Sequence, residues 1–214
     1  MSRLEALQIH AGYAETTILK SVDLVIPDGQ VTILIGPNGC GKSTLLKTRG
    51  HVLLDGKDIQ TLNTKSVAAR LGLLPQGPIA PEGLTVRELV AQGRFPHQSL
   101  LRQWTKADED AVNGAMETAG IADFADRAVD TLSGGQRQRC WVAMVLAQET
   151  ELILLDEPTT FLDLKVQVDL MDLLTGLAHE RGRTLVIVLH ELSLAAAYAD
   201  HLVMMKDGQI VASG

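Results

Sequence analysis

The sequence predicts a single α/β domain built on a parallel β-sheet, and three observations support this fold class. Apolar runs of strand length alternate with helical patterns, as in the strand 152–155, the helix 163–180 and the strand 184–189. These runs are rich in branched aliphatic residues, which suits strands that are buried on both faces. A chain of 214 residues with 46% hydrophobic content is long enough to bury one sizeable core. Ligands of such a fold bind at the carboxyl ends of the strands.

A glycine-rich stretch follows the apolar strand predicted over residues 31–35 and precedes a predicted helix. The stretch consists of Gly36, Pro37, Asn38, Gly39, Cys40, Gly41, Lys42, Ser43 and Thr44. Its pattern is G-x-x-x-x-G-K-[ST], and a strand before it and a helix after it are the context of a phosphate-binding loop, or P-loop. Backbone N–H groups and the helix N-terminus attract phosphate, Lys42 can reach the β- and γ-phosphates, and Ser43 can ligate Mg²⁺. A chance glycine turn is the weaker alternative.

Two carboxylates, Asp156 and Glu157, end the apolar strand that begins at residue 152. Asp156 can hold Mg²⁺ beside Ser43, directly or through water. Glu157 can polarise an attacking water as a general base. An acidic turn after a strand would be the simpler reading of an isolated pair, but the P-loop in the same chain favours the catalytic interpretation.

A second anion-binding helix start is predicted at Ser133, Gly134, Gly135 and Gln136. Ser133 is a typical N-cap residue, and two consecutive glycines open the backbone at a cost in helix stability. Two phosphate-binding helix starts can face one nucleotide within a chain. Alternatively, each can complete the other's site across a head-to-tail pair of chains. The spacing does not decide between these arrangements.

The region before the P-loop is predicted to contain strands over residues 4–9 and 23–26, with Tyr13 in a loop between them. The ring of Tyr13 could stack on adenine, although simple packing is the commoner role of such a residue. Residues 77–132 carry helical patterns without a strand, with Thr85 and Asp108 as expected N-caps. They therefore predict a helical insert.

The helix that follows the P-loop is predicted to be unusually short. It is broken at Arg49 and Gly50 after about two turns. A crossover between parallel strands usually needs a dozen or more residues. Residues are therefore missing from the sequence near this point, were deleted, or the chain is a genuine variant of the fold.

Composition excludes several classes of protein. A net charge of −7 disfavours a broad nucleic-acid surface. No apolar run approaches the ~20 residues of a membrane span, and the N-terminus lacks the apolar segment of a signal peptide. Cys40 and Cys140 are too few for a disulfide framework or a cysteine metal site, and we expect both to be reduced in a cytosol.

The motifs resemble those of ABC transporter ATPase subunits. Residues 36–44, Gln76, 132–136, 155–158, 162–163 and His190 occur in the order found in that family, and Leu-Ser-Gly-Gly-Gln is its signature. The resemblance implies a P-loop, RecA-like parallel core with an antiparallel β subdomain and a helical subdomain. It also implies one ABC ATPase domain over residues 1–214, with the ATP-binding core in 1–76 and 133–214 and the helical subdomain in 77–132.

The resemblance also implies roles for individual residues. Tyr13 would stack on adenine, Gln76 would sense Mg²⁺ and the attacking water, Asp163 would link two sites across a dimer, and His190 would contact the γ-phosphate. ATP and Mg²⁺ are the implied cofactors, and ATP would lie between the P-loop of one subunit and residues 133–136 of the other. The expected catalytic residues are Glu157, His190, Lys42 and Gln76; the expected metal ligands are Ser43, Gln76 and Asp156; the expected nucleotide contacts are Tyr13, residues 36–44, residues 133–136 and Asp163.

A narrower resemblance is to the ATPases of bacterial ferric-siderophore importers, and more loosely to those for haem or cobalamin. It rests on residues 93–97, 102–104 and 156–163. It implies a location on the cytoplasmic face of the inner membrane, permease subunits on other chains, an indirect link to an extracytoplasmic binding protein, and no nucleic acid. Among the departures from the family pattern are Glu191 after the histidine, residues 165–167 in place of a histidine-containing run, and a P-loop helix about ten residues short. A soluble ABC ATPase in DNA repair or on the ribosome, and a nucleotide-binding module without hydrolysis, are the alternatives.

Overall fold

The computed structural model describes residues 3–13, 16–48, 50–98 and 104–214, without the side chain of Tyr13. The strands are β1 (Leu4–Tyr13), β2 (Thr16–Ile26), β3 (Val31–Ile35), β4 (Val52–Leu54), β5 (Lys57–Asp58), β6 (Leu71–Leu74), β7 (Leu152–Asp156), β8 (Thr184–Val188), β9 (His201–Lys206) and β10 (Gln209–Ser213). The helices are α1 (Lys42–Lys47), α2 (Thr64–Ala68), α3 (Val86–Ala91), α4 (Lys106–Thr118), α5 (Gly134–Ala147), α6 (Leu164–His179) and α7 (Leu192–Tyr198). Short 3₁₀ segments cover Ile59–Thr61, Gln92–His97, Ala122–Phe124 and Val129–Thr131.

The larger of two sheets has the strand order β10-β9-β3-β8-β7-β6 and is parallel except for the hairpin that adds β10. Every residue of β3, β7 and β8 is buried, which is why their sequences are continuous apolar runs. The predicted α/β class is therefore confirmed. Because β3, β6, β7 and β8 are parallel, the loops that follow their carboxyl ends meet at one edge of the sheet.

The smaller sheet is antiparallel, with the order β2-β1-β4-β5, and it shares a hydrophobic core with the larger one. The sequence prediction was wrong about its hairpin. Tyr13 is the last residue of β1, where it pairs with Thr16, and β2 starts seven residues before the predicted position 23. Register shifts between Ala6 and Gly12 disrupt the alternation of apolar and polar residues, so the period-two signal is lost there.

Helix α1 is short, as the sequence predicted; it has six residues and ends at Lys47, just before the break predicted at Arg49 and Gly50. Thr48 is already extended, with φ −69° and ψ 145°. Arg49, one of the two predicted breakers, lies outside the described residues. The helix therefore stops after less than two turns.

Helices α3, α4 and α5 pack on one another around Leu89, Met116 and Trp141. Thr85 caps α3, as predicted, in a capping box with Glu88. The prediction of Asp108 as the N-cap of α4 was wrong, because Thr105 is the N-cap and Asp108 is its reciprocal partner three residues later. The division of the chain at residues 77 and 132 stays a prediction.

A buried ion pair lies within this helical region. Arg94 and Asp108 are 3% and 1% exposed, with Nε of Arg94 3.0 Å from Oδ1 of Asp108. The Thr105 hydroxyl donates to Asp108 and is the main reason why the pKa of this carboxyl falls from 3.8 to about 2, with Arg94 adding to the effect. A lowered pKa stabilises the fold above pH ~4, and this stabilisation is lost as the pH falls through 3.8 toward 2.

We expect Asp108→Asn to lower the free energy of unfolding at pH 7 by about 1.5–3 kcal/mol, because hydrogen bonds to a buried charge are lost. Arg94 keeps Glu149 and the carbonyl of Ala147 as partners, so the cost stays below that of a fully orphaned cation. Denaturant unfolding measures the loss in unfolding free energy at pH 7 and at pH 3, and we expect a smaller loss at pH 3. The control is Asp110→Asn, which removes an exposed pair with Lys106 on the same helix. Equal effects of the two changes would contradict the prediction.

Candidate active site

The P-loop connects β3 to α1 in a conformation that needs glycine at two positions. A Cβ on Gly36 would lie 2.2 Å from the backbone oxygen of Met205. Gly41 has φ 103° and is the N-cap of α1. The loop therefore turns closely over the sheet edge and leaves its backbone facing a cleft.

Lys42 is held at the floor of this loop. Its ammonium donates to the backbone oxygens of Gly36 at 2.8 Å and Pro37 at 3.2 Å, and the residue is 5% exposed. These two carbonyls hold the only charge of the loop in place beside the cleft. An anion bound there would meet a cation that is already positioned.

Asp156, at the end of β7, is tied to α1 by two contacts. The Ser43 hydroxyl donates to Oδ1 at 2.7 Å, and Nζ of Lys47 lies 2.8 Å from Oδ2. The Lys47 contact is a charge pair without hydrogen-bond geometry, and within the described residues no hydrogen bond reaches the buried Oδ2. A buried carboxylate oxygen that lacks a hydrogen bond, next to a serine hydroxyl, fits a Mg²⁺ ligand set of oxygen atoms. Gln76, the third predicted ligand, does not contact this pair; its amide lies on Glu157.

Glu157 is the centre of a second group of contacts. Its Oε1 lies 2.5 Å from Nε2 of His190, and its Oε2 accepts from the amide of Gln76 at 2.5 Å and from the hydroxyl of Thr160 at 3.2 Å. The Glu157 side chain is only 8% exposed. Its backbone adopts φ 54°, which is uncommon outside glycine.

One cleft of about 320 Å³ brings these groups together. Its lining consists of Ile18, Asn38, Gly39, Gly41, Lys42, Ser43, Thr44, Gln76, Glu157 and His190. Apart from Ile18 of β2, they follow the carboxyl ends of β3, β6, β7 and β8, which are far apart in sequence and adjacent in the sheet. The cleft combines a fixed cation, backbone donors and a carboxylate with a histidine beside it, which suits binding and hydrolysis of a nucleoside triphosphate.

The predicted second anion site begins α5, where Ser133 and Gln136 form a capping box within the chain. Gly135 has a packing reason, because a Cβ there would lie 2.7 Å from Cγ1 of Val166. Gly134 is exposed and has open space around it. Among the described residues that line the nucleotide cleft, none belongs to 133–136, although Gly134 lines a neighbouring cavity with Gln76 and Glu157. The helix start therefore lies beside the cleft of its own chain rather than in it.

Two other predicted residues lie elsewhere. Asp163 caps α6, where its carboxylate accepts from the backbone N–H of Val166 at 3.1 Å, and it does not line the cleft. The side chain of Tyr13 lies outside the described residues. Three residues that contact the site were not predicted: Ile18, Thr160 and Lys47. Of these, only Thr160 could have been found from the sequence, because it lies within the motif that follows β7.

This fold and site define a class: ATP-binding cassettes, in which a P-loop, a carboxylate pair after the neighbouring strand and a separate glycine-containing helix start occur together. The ATP-binding cassette solved as a dimer in a post-hydrolysis state with ADP and Pi is similar over 99% of this chain and 97% of its own, with a TM-score of 0.84 and 28% identity.

The family described as ABC transporter matches residues 19–160. The ferric enterobactin transport ATP-binding protein FepC of Escherichia coli is 53% identical over 222 aligned positions, which cover 100% of this chain and 82% of that protein. The petrobactin import ATP-binding protein FpuD of Bacillus anthracis is 51% identical, over 99% of this chain and 80% of its own length. This chain therefore belongs to the ABC transporter family, as one of its ATP-binding proteins, and is an ATPase of that type. Within the described residues, no helix has the length and apolar character needed to span a bilayer.

Proposed function

We propose that this chain is the ATP-hydrolysing subunit of an importer for a ferric siderophore. The observation that carries the ATPase chemistry is the convergence of Lys42, Glu157 and His190 on one cleft, to which Asp156 is joined through the Ser43 hydroxyl. The importer and its cargo are supported by relatives at about 50% identity whose names specify ferric enterobactin transport and petrobactin import. The proposal places the chain on the cytoplasmic face of a bacterial membrane, bound to permease subunits on other chains.

In the proposed reaction, Glu157 accepts a proton from the water that attacks the γ-phosphorus, and the bond to the bridging oxygen of ADP breaks. Lys42 and the loop backbone stabilise the negative charge that develops on the transferring group. Both carboxylate oxygens of Glu157 are already engaged by Gln76, Thr160 and His190. A carboxylate can accept about four hydrogen bonds, so Glu157 can keep these three contacts and still accept from the attacking water.

Mg²⁺ would be held by Ser43 and Asp156, with Gln76 as a further ligand once it leaves Glu157. Such an ion supplies positive charge to the β- and γ-phosphate oxygens. Asp156 is already fixed by the Ser43 hydroxyl at 2.7 Å, which orients the carboxylate toward α1. This chain therefore contributes a pre-oriented oxygen pair.

The proposed assembly is a head-to-tail dimer, with residues 133–136 of one chain facing the P-loop of its partner. The exposed position of Ser133 and Gly134, outside the cleft of their own chain, supports this arrangement. The dimeric form of a structural relative supports it as well.

Uptake of iron tests the proposal directly. A strain of the source organism without this gene is expected to lose uptake of ⁵⁵Fe-loaded siderophore, and the wild-type gene is expected to restore it. Glu157→Gln is expected not to restore it, although the protein is made and binds ATP. Unchanged siderophore-dependent uptake in the deletion strain would overturn the cargo, and full uptake with Glu157→Gln would overturn the ATPase coupling.

A specific observation favours a second candidate, a nucleotide-binding module that hydrolyses slowly. Lys47 neutralises Asp156 across 2.8 Å, so a cation of the protein competes with Mg²⁺ for this carboxylate.

We expect Lys47→Met to lower the Mg²⁺ concentration for half-maximal ATP hydrolysis about fivefold, equal to ~1 kcal/mol, the upper range for a partly exposed ion pair. A Mg²⁺ titration of steady-state hydrolysis measures the effect, with the exposed Lys57→Met as control. An unchanged Mg²⁺ requirement would show that the Lys47 contact does not compete with the metal.

A further inference from the structure

An apolar cavity of about 230 Å³ lies between the two sheets, on the side of α1 away from the nucleotide cleft. The smaller sheet contributes Ala6 and Leu24, the larger sheet contributes Leu34, Leu154 and Val186, and α2 contributes Val67. The side chains of the strand residues Leu34, Leu154 and Val186 are buried, with at most 5% exposure for each residue. The cavity therefore has a buried floor on the larger sheet and a partly exposed rim, to which Leu71 and Leu73 belong.

The cavity begins where α1 ends. Leu45, Leu46, Lys47 and Thr48 line it, and the chain turns away into extended backbone at Thr48. The alignment with the E. coli relative has 222 positions against the 214 residues of this chain, so that relative has residues which this chain lacks.

The exposure of successive residues along β6 shows which face of this strand is incompletely covered. Leu71 and Leu73 point to the cavity side and are only partly buried, whereas Gly72 and Leu74, on the opposite face of the same strand, are buried. Alternating residues of a strand lie on opposite faces, so the difference in burial is a difference between the two faces of β6. The face toward α1 thus has apolar side chains that lack full packing partners.

The chemistry of the lining selects the ligand. Among the described residues of the lining, Lys47 is the charged one, and its ammonium is already paired with Asp156 at 2.8 Å. A buried water needs two to four polar partners, and the other described side chains of the lining, apart from Thr48, are apolar. An apolar cavity of about 150 Å³ accepts benzene or xenon, so a cavity of about 230 Å³ has room for one or two rings.

We propose that the cavity between the sheets, beyond the end of α1, binds a small uncharged apolar molecule of one or two fused rings. The ligand packs against Leu45 and Leu46, on the helix that also carries Lys42 and Ser43. It therefore takes the place of packing that α1 lacks at its carboxyl end. This inference is independent of ATP hydrolysis and of the cargo.

Binding is tested on the full chain without nucleotide, using fluorobenzene and indole as probes. At ten times its dissociation constant, either probe is expected to raise Tm by about 3–6 °C. The ¹⁹F signal of fluorobenzene is expected to broaden or shift on binding. Benzoate and benzylammonium, which have the same ring with a charge, are expected to do neither.

Two separate variants fill the cavity from its edges, Val67→Trp on α2 and Leu73→Trp on the edge strand β6. Each is expected to abolish the probe-induced rise in Tm while keeping a cooperative unfolding transition of its own. The surface control Val211→Trp, at a residue 59% exposed, is expected to keep the wild-type response. The proposal is overturned if wild type gives no ¹⁹F change and no rise in Tm up to the solubility of the probes. It is also overturned if folded Val67→Trp and Leu73→Trp respond like wild type, or if the charged analogues bind equally well.

Discussion

Glu157→Gln is expected to lower the turnover of ATP by about 10²–10⁴-fold while ATP binding persists. Glutamine has the size of glutamate and can keep hydrogen bonds to Gln76, Thr160 and His190, whose contacts hold this side chain at 8% exposure. What it cannot do is take a proton from the attacking water. The loss should therefore appear in kcat and leave the dissociation constant for ATP close to that of wild type.

Single-turnover hydrolysis and binding of a fluorescent ATP analogue measure the two quantities separately. The matched control is Glu191→Gln, because Glu191 follows His190 in the chain but does not line the cleft. It is expected to hydrolyse ATP at the wild-type rate. Full turnover by Glu157→Gln would show that Glu157 is not the general base. Loss of ATP binding would instead show that its contacts with Gln76 and His190 build the cleft.

Mixing two inactive variants is expected to restore ATP hydrolysis if the site is shared between two chains. Lys42→Ala removes the cation of the P-loop, and Gly134→Asp places a negative charge at the exposed start of α5. Each alone is expected to lose activity by at least about 10²-fold, because a charge that stabilises phosphate is removed or opposed. In a mixed head-to-tail dimer, the P-loop of the Gly134→Asp chain faces the helix start of the Lys42→Ala chain, so one intact site forms.

The same mixture distinguishes a site shared between two chains from a site within one chain, a choice that the spacing of the motifs left open. If P-loop and helix start served one nucleotide within a chain, every site in the mixture would carry a defect and no activity would return. Gly134→Ala is the control, since the nearest atom to a Cβ there is Cδ2 of Leu162 at 4.0 Å, and it should remain active in isolation.

Parallel-sheet topology explains why much of the site could be predicted from the sequence. Once residues 31–35, 71–74, 152–156 and 184–188 are predicted as parallel strands, the groups that follow them must meet at one edge. The hairpin of β1 and β2 was predicted less well, because bulges break the alternation that marks a strand. Thr105 was missed as the cap of α4 because Asp108, three residues later, is an equally good capping residue in isolation.

The sequence by itself determined the chemistry of the short segments, namely the phosphate-binding turn around Lys42, the carboxylates Asp156 and Glu157, the signature helix start at Ser133, and the early end of α1. These follow from residue types within a few positions of each other. Only the tertiary structure decided the pairing of Lys47 with Asp156, the three contacts of Glu157, and the apolar cavity beyond Thr48. Such features depend on how segments far apart in the sequence pack together, and no local pattern encodes the space that remains between them.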